Sequence, residues 1–83
     1  MPASRYVPKR RFDRNQCGRI VARLRVKQSL SQQDLAGRLA AVKWIVSRDV
    51  IKRIENGERE VTDRELKVLA KALRVPVALL FEP

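Results

Sequence analysis

Apolar residues recur along this chain at the spacing of a helix, and this periodicity constrains its fold more than any other feature. Four residues near the N-terminus stand at positions i, i+3, i+4 and i+7: Cys17, Ile20, Val21 and Leu24. Four more repeat that spacing toward the C-terminus: Leu66, Leu69, Ala70 and Leu73. Such spacing places each set on one face of an amphipathic helix, and no stretch shows the alternation typical of a strand. The sequence therefore predicts an all-α fold.

Capping signals predict where five short helices begin and end. A residue with a capping side chain precedes four of the apolar stretches, namely Asp13, Ser31, Ser47 and Thr62. Gly57 suits the left-handed position that ends a helix, and Pro76 suits the first position of a last short helix. The predicted helices cover about 14–28, 32 to at least 40, and 48–56, with a fourth starting after Thr62 and a fifth at Pro76.

Positive charge is concentrated toward the N-terminus. The chain has 19 basic and 9 acidic residues, which gives a net charge of +10. Residues 1–30 contribute +8, residues 31–57 contribute +2, and residues 58–83 are neutral. A face that binds a polyanion explains such a gradient, whereas charge that only promotes solubility does not require it. The alternative interpretation is a solvated basic tail without a fixed partner.

The residue inventory argues against catalysis and against a metal or cofactor site. Histidine, the commonest general base and transition-metal ligand, is absent from the sequence. The single cysteine, Cys17, is most simply a small core residue in a reducing compartment. The three glycines are isolated, so no phosphate-binding loop is present. With neither a secretion signal nor an apolar stretch of roughly 20 residues, the expectation is a cytoplasmic, non-enzymatic protein without cofactors.

Specific residues follow one another in a recognisable order along these helices. They are Leu30-Ser31-Gln32, Leu35-Ala36, Ile51 with Ile54-Glu55-Asn56-Gly57, and Leu69-Ala70 with Ala72-Leu73. Over about residues 14–81, this pattern resembles the helix-turn-helix domains of lambda-repressor and Cro-like transcription regulators. The resemblance implies a compact five-helix DNA-binding domain at 13–83, behind a flexible basic arm at 1–12. Its expected partner is double-stranded DNA, bound to regulate transcription and most simply to repress it.

The third helix is the expected reader of base sequence. A recognition helix buries one face and presents its N-terminal turn and opposite face to the major groove. Because Ile51 and Ile54 fall on the inward face, three polar residues are left as candidate base readers: Arg48, Asp49 and Lys52. Arginine can donate two hydrogen bonds to guanine and aspartate can accept one from cytosine, each good pair giving about 1–3 kcal/mol of discrimination. The alternative is an exposed charged helix without that role.

Other polar residues are expected to hold the DNA backbone. The resemblance implies that Gln32, in the first turn of the second helix, bonds a phosphate, with Gln33 as the nearby substitute. Three candidates lie in or just after the third helix: Arg53, Asn56 and Arg59. Four more lie in the arm, where they would contact phosphates or the minor groove: Arg5, Lys9, Arg10 and Arg11. Glu55 matches a family glutamate that is expected to cap or pair locally rather than to read bases.

One segment departs from the family pattern. Between Ala40 and Val46 the chain has about five more residues than the short turn usual in this motif. This insert either extends the second helix or forms an apolar connection, so the third helix is expected to sit tilted or displaced. Trp44 and Ile45 within it either contact a protein partner or plug the core, and the plug is favoured because tryptophan is usually well buried.

Partners and alternative functions also follow from the sequence. A homodimer is expected from the family, and the candidate contact is the apolar C-terminal end: Val77, Leu79, Leu80 and Phe81. The main alternative function is a protein-binding adaptor or antitoxin-like module on the same fold, with function carried by Trp44, Ile45 and the same C-terminal apolar residues. Binding of RNA or DNA by charge alone is the third possibility. Four scattered aromatic residues offer too little stacking surface for single strands.

Overall fold

Four α-helices followed by a 3₁₀ helix make up residues 14–80, the part of the chain that the computed structural model describes, with side chains from residue 17. Their bounds are Arg14–Lys27 (α1), Gln32–Ala41 (α2), Arg48–Glu55 (α3), Asp63–Leu73 (α4) and Val77–Leu80 (the C-terminal 3₁₀ helix). Since this described part contains no strand, the all-α prediction is confirmed. The fifth helix lies where it was predicted but is 3₁₀ rather than α. Within these residues no helix has the length and apolar character that crossing a bilayer requires.

The predicted apolar faces meet in one core. α3 packs against α1 and α2, and α4 packs against α1, α2 and the C-terminal 3₁₀ helix. Eight large side chains at the centre are almost fully buried: Val21, Leu35, Leu39, Ile51, Ile54, Leu69, Leu73 and Leu80. Burying a side chain of this size contributes about 1.5–3 kcal/mol. Cys17 is also buried, as predicted, and burial raises the pKa of its thiol.

The burial of Leu80 corrects one predicted dimer contact. Leu80 is only 1% exposed because it packs into the core of its own chain, whereas Leu79 beside it is 42% exposed. A side chain enclosed in this way cannot reach a second protomer. Phe81, another predicted contact residue, lies outside the described residues.

Side-chain caps start three helices at the predicted residues. The Ser31 hydroxyl accepts a hydrogen bond from the Asp34 amide, and the Asp34 carboxylate accepts one from the Ser31 amide, both at 2.9 Å. The hydrogen bond from the Ser31 amide, with a smaller contribution from the Ser31 side chain, lowers the pKa of the Asp34 carboxyl. Thr62 caps α4 and forms a capping box with Glu65, and Ser47 caps α3. The fourth predicted cap, Asp13, lies outside the described residues.

All four α-helices are followed by a residue in the left-handed conformation, and three of these residues are not glycine. The four residues, with φ of 60°, 72°, 76° and 60°, are Ser29, Lys43, Gly57 and Arg74. After α2, the Trp44 amide donates to the Leu39 carbonyl at 2.9 Å, the long hydrogen bond of a Schellman motif. Equivalent hydrogen bonds follow the other three helices.

The Schellman motif after α2 settles the alternatives for residues 41–46. Ala41 is the last residue of α2, and the left-handed Lys43 turns the chain away from the helix axis. Residues 44–47 then run without regular secondary structure to the start of α3. The insert is therefore a connection and extends α2 by a single residue beyond Ala40.

Glycine at the left-handed positions is expected to stabilise the protein. A left-handed backbone costs an L-residue roughly 1–2 kcal/mol, and replacement by glycine removes this strain. The extra freedom of glycine in the unfolded chain offsets about 0.5–1 kcal/mol of the resulting stabilisation. Lys43→Gly and Arg74→Gly should each raise the free energy of unfolding by about 0.5–1 kcal/mol, measured by urea denaturation. Lys71→Gly, inside α4, is the control and should lower it by about 1 kcal/mol. A loss of stability in both left-handed variants would contradict the expectation.

Candidate nucleic-acid interface

α3 presents one apolar and one polar face, as its sequence predicts. Ile51 and Ile54 are each 1% exposed and pack into the core. Arg48, Asp49 and Lys52 are all exposed on the other side. Ser47 caps this helix through its hydroxyl, which accepts a hydrogen bond from the backbone, so Arg48 is the first helical residue. The N-terminal turn of α3 is therefore fixed in its backbone and accessible in its side chains.

Two of the predicted DNA-contacting residues pair with each other on the surface of α3. Arg53 Nε lies 3.1 Å from Asp49 Oδ2, one turn apart along the helix. Both side chains are well exposed. Exposed pairs of this kind contribute only about 0–1 kcal/mol, so a ligand can separate them at little cost.

The C-terminal end of α3 is fixed by a bidentate ion pair that the sequence did not predict. Arg25 Nε donates to Glu55 Oε2 at 2.7 Å, and Arg25 Nη2 donates to Glu55 Oε1 at 3.1 Å. The two side chains are 15% and 7% exposed. Glu55 is thus structural, as expected, but its partner is not local, because Arg25 stands 30 residues earlier in α1. Arg25 also donates to the Leu30 carbonyl at 2.7 Å, which ties the α1–α2 loop to the same cluster.

The predicted phosphate ligand Gln32 belongs to this cluster. Its side-chain amide donates to Glu55 Oε1 at 3.0 Å, so it joins the first turn of α2 to the last turn of α3. Gln33, the predicted substitute, is exposed in the same turn of α2. The structure therefore brings the first turn of α2 beside α3, although the two are separated by the longer connection.

A close approach of two backbones lets α1 and α3 meet at this cluster. A Cβ atom at Gly18 would collide with the Ile54 carbonyl oxygen and lie 2.9 Å from the Glu55 carbonyl oxygen. Glycine is therefore required where α1 crosses the end of α3. The sequence interpretation treated Gly18 only as an isolated glycine. Its position inside a helix, where glycine is less favourable than alanine, was the available signal.

Comparisons with known proteins agree with this geometry. The model of the helix-turn-helix family matches residues 21–80. The chain belongs to the helix-turn-helix family. Domains of this family are non-enzymatic DNA-binding regulators, so both the predicted family and the prediction that the chain is not an enzyme are confirmed.

Solved structures similar to this helix-turn-helix domain share its fold over most of its length. The restriction-modification controller protein C.AhdI from Aeromonas hydrophila is 29% identical, with a TM-score of 0.73 over 83% of this chain and 97% of that one. The S. venezulae BldD DNA-binding domain is 28% identical, with a TM-score of 0.71 over 84% and 97%. No curated protein sequence matches the chain significantly.

Arg59, a predicted DNA-backbone contact of the helix-turn-helix domain, is held by one side chain of α4 and one of the α2–α3 connection. Its Nη1 and Nη2 donate to Glu65 Oε1 and Oε2, each at 3.1 Å, and its guanidinium lies 5.8 Å from the centre of the Trp44 ring. Burial alone would raise the pKa of Glu65, but the hydrogen bonds from Arg59 and Thr62 outweigh it and lower the pKa. Asn56, the C-cap of α3, is exposed.

The two apolar residues of the insert have different environments. Trp44 is half-buried and packs against the core, which agrees with the favoured interpretation as a plug. Ile45 is 81% exposed, so that interpretation was wrong for it. Burial alternates along this connection, where Trp44 and Val46 are half-buried and Ile45 is exposed. The four predicted contacts of the arm lie outside the described residues.

Proposed function

We propose that this helix-turn-helix protein binds double-stranded DNA at specific sequences and places α3 in the major groove. The bound protein represses transcription, and its location is the cytoplasm. The observation that carries the proposal is the anchoring of α3. Its C-terminal end is fixed by the Arg25–Glu55 ion pair, and its capped N-terminal turn presents Arg48, Asp49 and Lys52 to solvent. A helix held at one end and open at the other suits direct contact with base edges.

The proposed base readers differ in how freely they can act. Arg48 is exposed at the first helical position and has the donors to bind guanine O6 and N7. Asp49 pairs with Arg53 through Oδ2 in an exposed, weak ion pair, and a carboxylate has further acceptor sites for cytosine N4. Lys52 lies one turn after Arg48, within reach of a base or a phosphate. Arg53, once released, would bind a phosphate beside them.

The proposed backbone contacts surround α3. Gln32 and Gln33 stand in the first turn of α2, where helix amides and the helix dipole attract a phosphate. Asn56 and Arg59 follow α3, and the arm at residues 1–12 would add contacts from Arg5, Lys9, Arg10 and Arg11. The domain would then comprise residues 13–83. The printed names of the two similar structures, a controller protein and a DNA-binding domain, support DNA as the ligand.

A homodimer remains part of the proposal, in a reduced form. Leu79 is the exposed member of the described C-terminal apolar residues, and Val77 beside it is half-buried. One small module reads few bases, so two protomers on paired half-sites would give a longer recognition sequence.

Selection from a pool of random duplexes tests the proposed function. The wild-type protein should enrich a sequence motif. Arg48→Ala should lose preference at one or two positions of that motif, at a cost of about 1–3 kcal/mol for the preferred base, with nearly the same salt dependence. Lys71→Ala, which removes an exposed charge from α4, is the control and should keep the motif unchanged. A wild-type selection that returns no motif would contradict sequence-specific binding.

A protein-binding adaptor or antitoxin-like module is the second candidate, and the exposure of Ile45 favours it. An isoleucine that is 81% exposed beside the half-buried Trp44 offers an apolar contact for a partner. This candidate predicts no motif in the selection. It also predicts that Ile45→Ser, which leaves the core intact, abolishes binding of the protein partner without changing DNA binding.

A further inference from the structure

α1 carries a row of cations on its outer face. Arg19, Arg23 and Lys27 stand at positions i, i+4 and i+8, and all three are exposed. Successive members are separated by about 6 Å along the helix axis, from a rise of 1.5 Å per residue. The helix contains no acidic residue, and the ion pairs recorded among residues 17–80 involve none of the three. We refer to these three residues as the α1 row.

The α1 row points away from α3. α1 meets α3 through Gly18 and Arg25, which are seven residues apart and therefore lie within about 20° of each other around the helix. By the same geometry, the three cations lie roughly 110–170° around α1 from that contact. The α1 row therefore lies on the side of α1 opposite its contact with α3.

We propose that the α1 row is a second DNA-binding surface, which holds the phosphate backbone of a duplex other than the one that α3 enters. This inference rests on the proposed function only in taking α3 as the first DNA contact. A linear array of cations without acidic neighbours matches the linear array of phosphates on DNA and carries no sequence information. The surface therefore binds without sequence preference, and one protein can bridge two DNA segments.

The distribution of charge supports DNA rather than general solubility. α4 exposes cations too, but its first turn contains Asp63 and Glu65, and residues 58–83 are neutral as a whole. α1 belongs to a segment of +8 over residues 1–30. The excess charge is thus local to one helix and the chain that precedes it, as a polyanion-binding face requires.

Two triple variants with the same net charge show whether bridging of duplexes depends on the position of the cations or only on the net charge of the protein. Arg19→Gln/Arg23→Gln/Lys27→Gln removes the α1 row. Lys67→Gln/Lys71→Gln/Arg74→Gln removes three exposed cations from α4 and the residue that follows it. Glutamine has nearly the same helix propensity as lysine and arginine, and thermal unfolding checks that both variants remain folded. Each is mixed with two random-sequence duplexes, one labelled with an energy-transfer donor and the other with an acceptor.

The wild-type protein and the α4 variant should bring the two duplexes together, with energy transfer that decreases as salt is added. The α1 variant should need at least about tenfold more protein for the same transfer, and the slope of its salt dependence should fall by up to about 2.7, from about 0.9 per lost phosphate contact. Equal bridging by the two variants, or none by the wild type, would overturn the proposal. If the selection returns a motif but the wild-type protein does not bridge duplexes, only the inference about the α1 row is refuted. If the protein bridges duplexes but the selection returns no motif, only the proposed function is refuted.

Discussion

Replacing Gly18 with alanine is expected to lower the free energy of unfolding by about 3 kcal/mol, the upper part of the usual range for overpacking. The added methyl group would collide with the Ile54 carbonyl oxygen and crowd the Glu55 carbonyl oxygen. Both are backbone atoms at the end of α3, so neither can move aside as a flexible side chain can. α1 and α3 would have to separate, and the loss would appear as a lower urea midpoint with an unchanged slope.

Gly37 provides a matched control for this experiment. It is exposed in α2, and a Cβ atom there meets nothing within 4 Å. Gly37→Ala should therefore raise the free energy of unfolding by about 0.5–1 kcal/mol, because alanine restricts the unfolded chain and favours the helix. The same glycine-to-alanine substitution then changes the free energy of unfolding in opposite directions in α1 and α2. If Gly18→Ala were neutral or stabilising, the close approach of α1 to α3 would be wrong.

Replacing Glu55 with alanine is expected to cost about 2–3 kcal/mol, somewhat less than the roughly 3–5 kcal/mol for removing one partner of a fully buried ion pair, because this pair is only partly buried. The change leaves the Arg25 guanidinium, 15% exposed, without its carboxylate, and it also removes the acceptor of the Gln32 amide. Asp49→Ala on the same helix is the control. It breaks the exposed pair with Arg53 and should cost less than about 1 kcal/mol.

A double-mutant cycle shows whether the loss comes from the pair itself. Arg25→Met removes the charge and keeps much of the apolar stem, so Arg25→Met/Glu55→Ala no longer leaves a partly buried charge unpaired. The double variant should be more stable than the sum of the single losses predicts. Additive losses would mean that the two residues act independently, contrary to the bidentate geometry.

The sequence predicted the helices well because the signals that start and end them are local. The caps at Ser31, Ser47 and Thr62 need only a side chain and an amide two or three residues later, and all three are present. The insert could not be assigned in the same way. Lys43 turns the chain in a left-handed conformation that its residue type does not predict, since glycine or asparagine is usual there.

Contacts within the candidate interface were harder to predict because they join residues distant in sequence. Residue type does not distinguish Arg25 from the other cations of α1, and only the crossing of α1 over α3 brings it to Glu55. Gln32 was expected to face phosphate, and its bond to Glu55 depends on the same crossing. The outward residues of α3 were predictable, because the burial of Ile51 and Ile54 fixes the orientation of a single helix.

The anchoring of α3 at one end separates the positions that determine stability from those proposed to determine specificity. Arg48, Asp49 and Lys52 are exposed and lie outside the Arg25–Glu55 cluster, so most exchanges there should change stability by no more than about 0.5 kcal/mol. A library randomised at these three positions should therefore consist mainly of folded proteins. The domain is thus a practical scaffold for selecting new DNA specificities without redesigning its core.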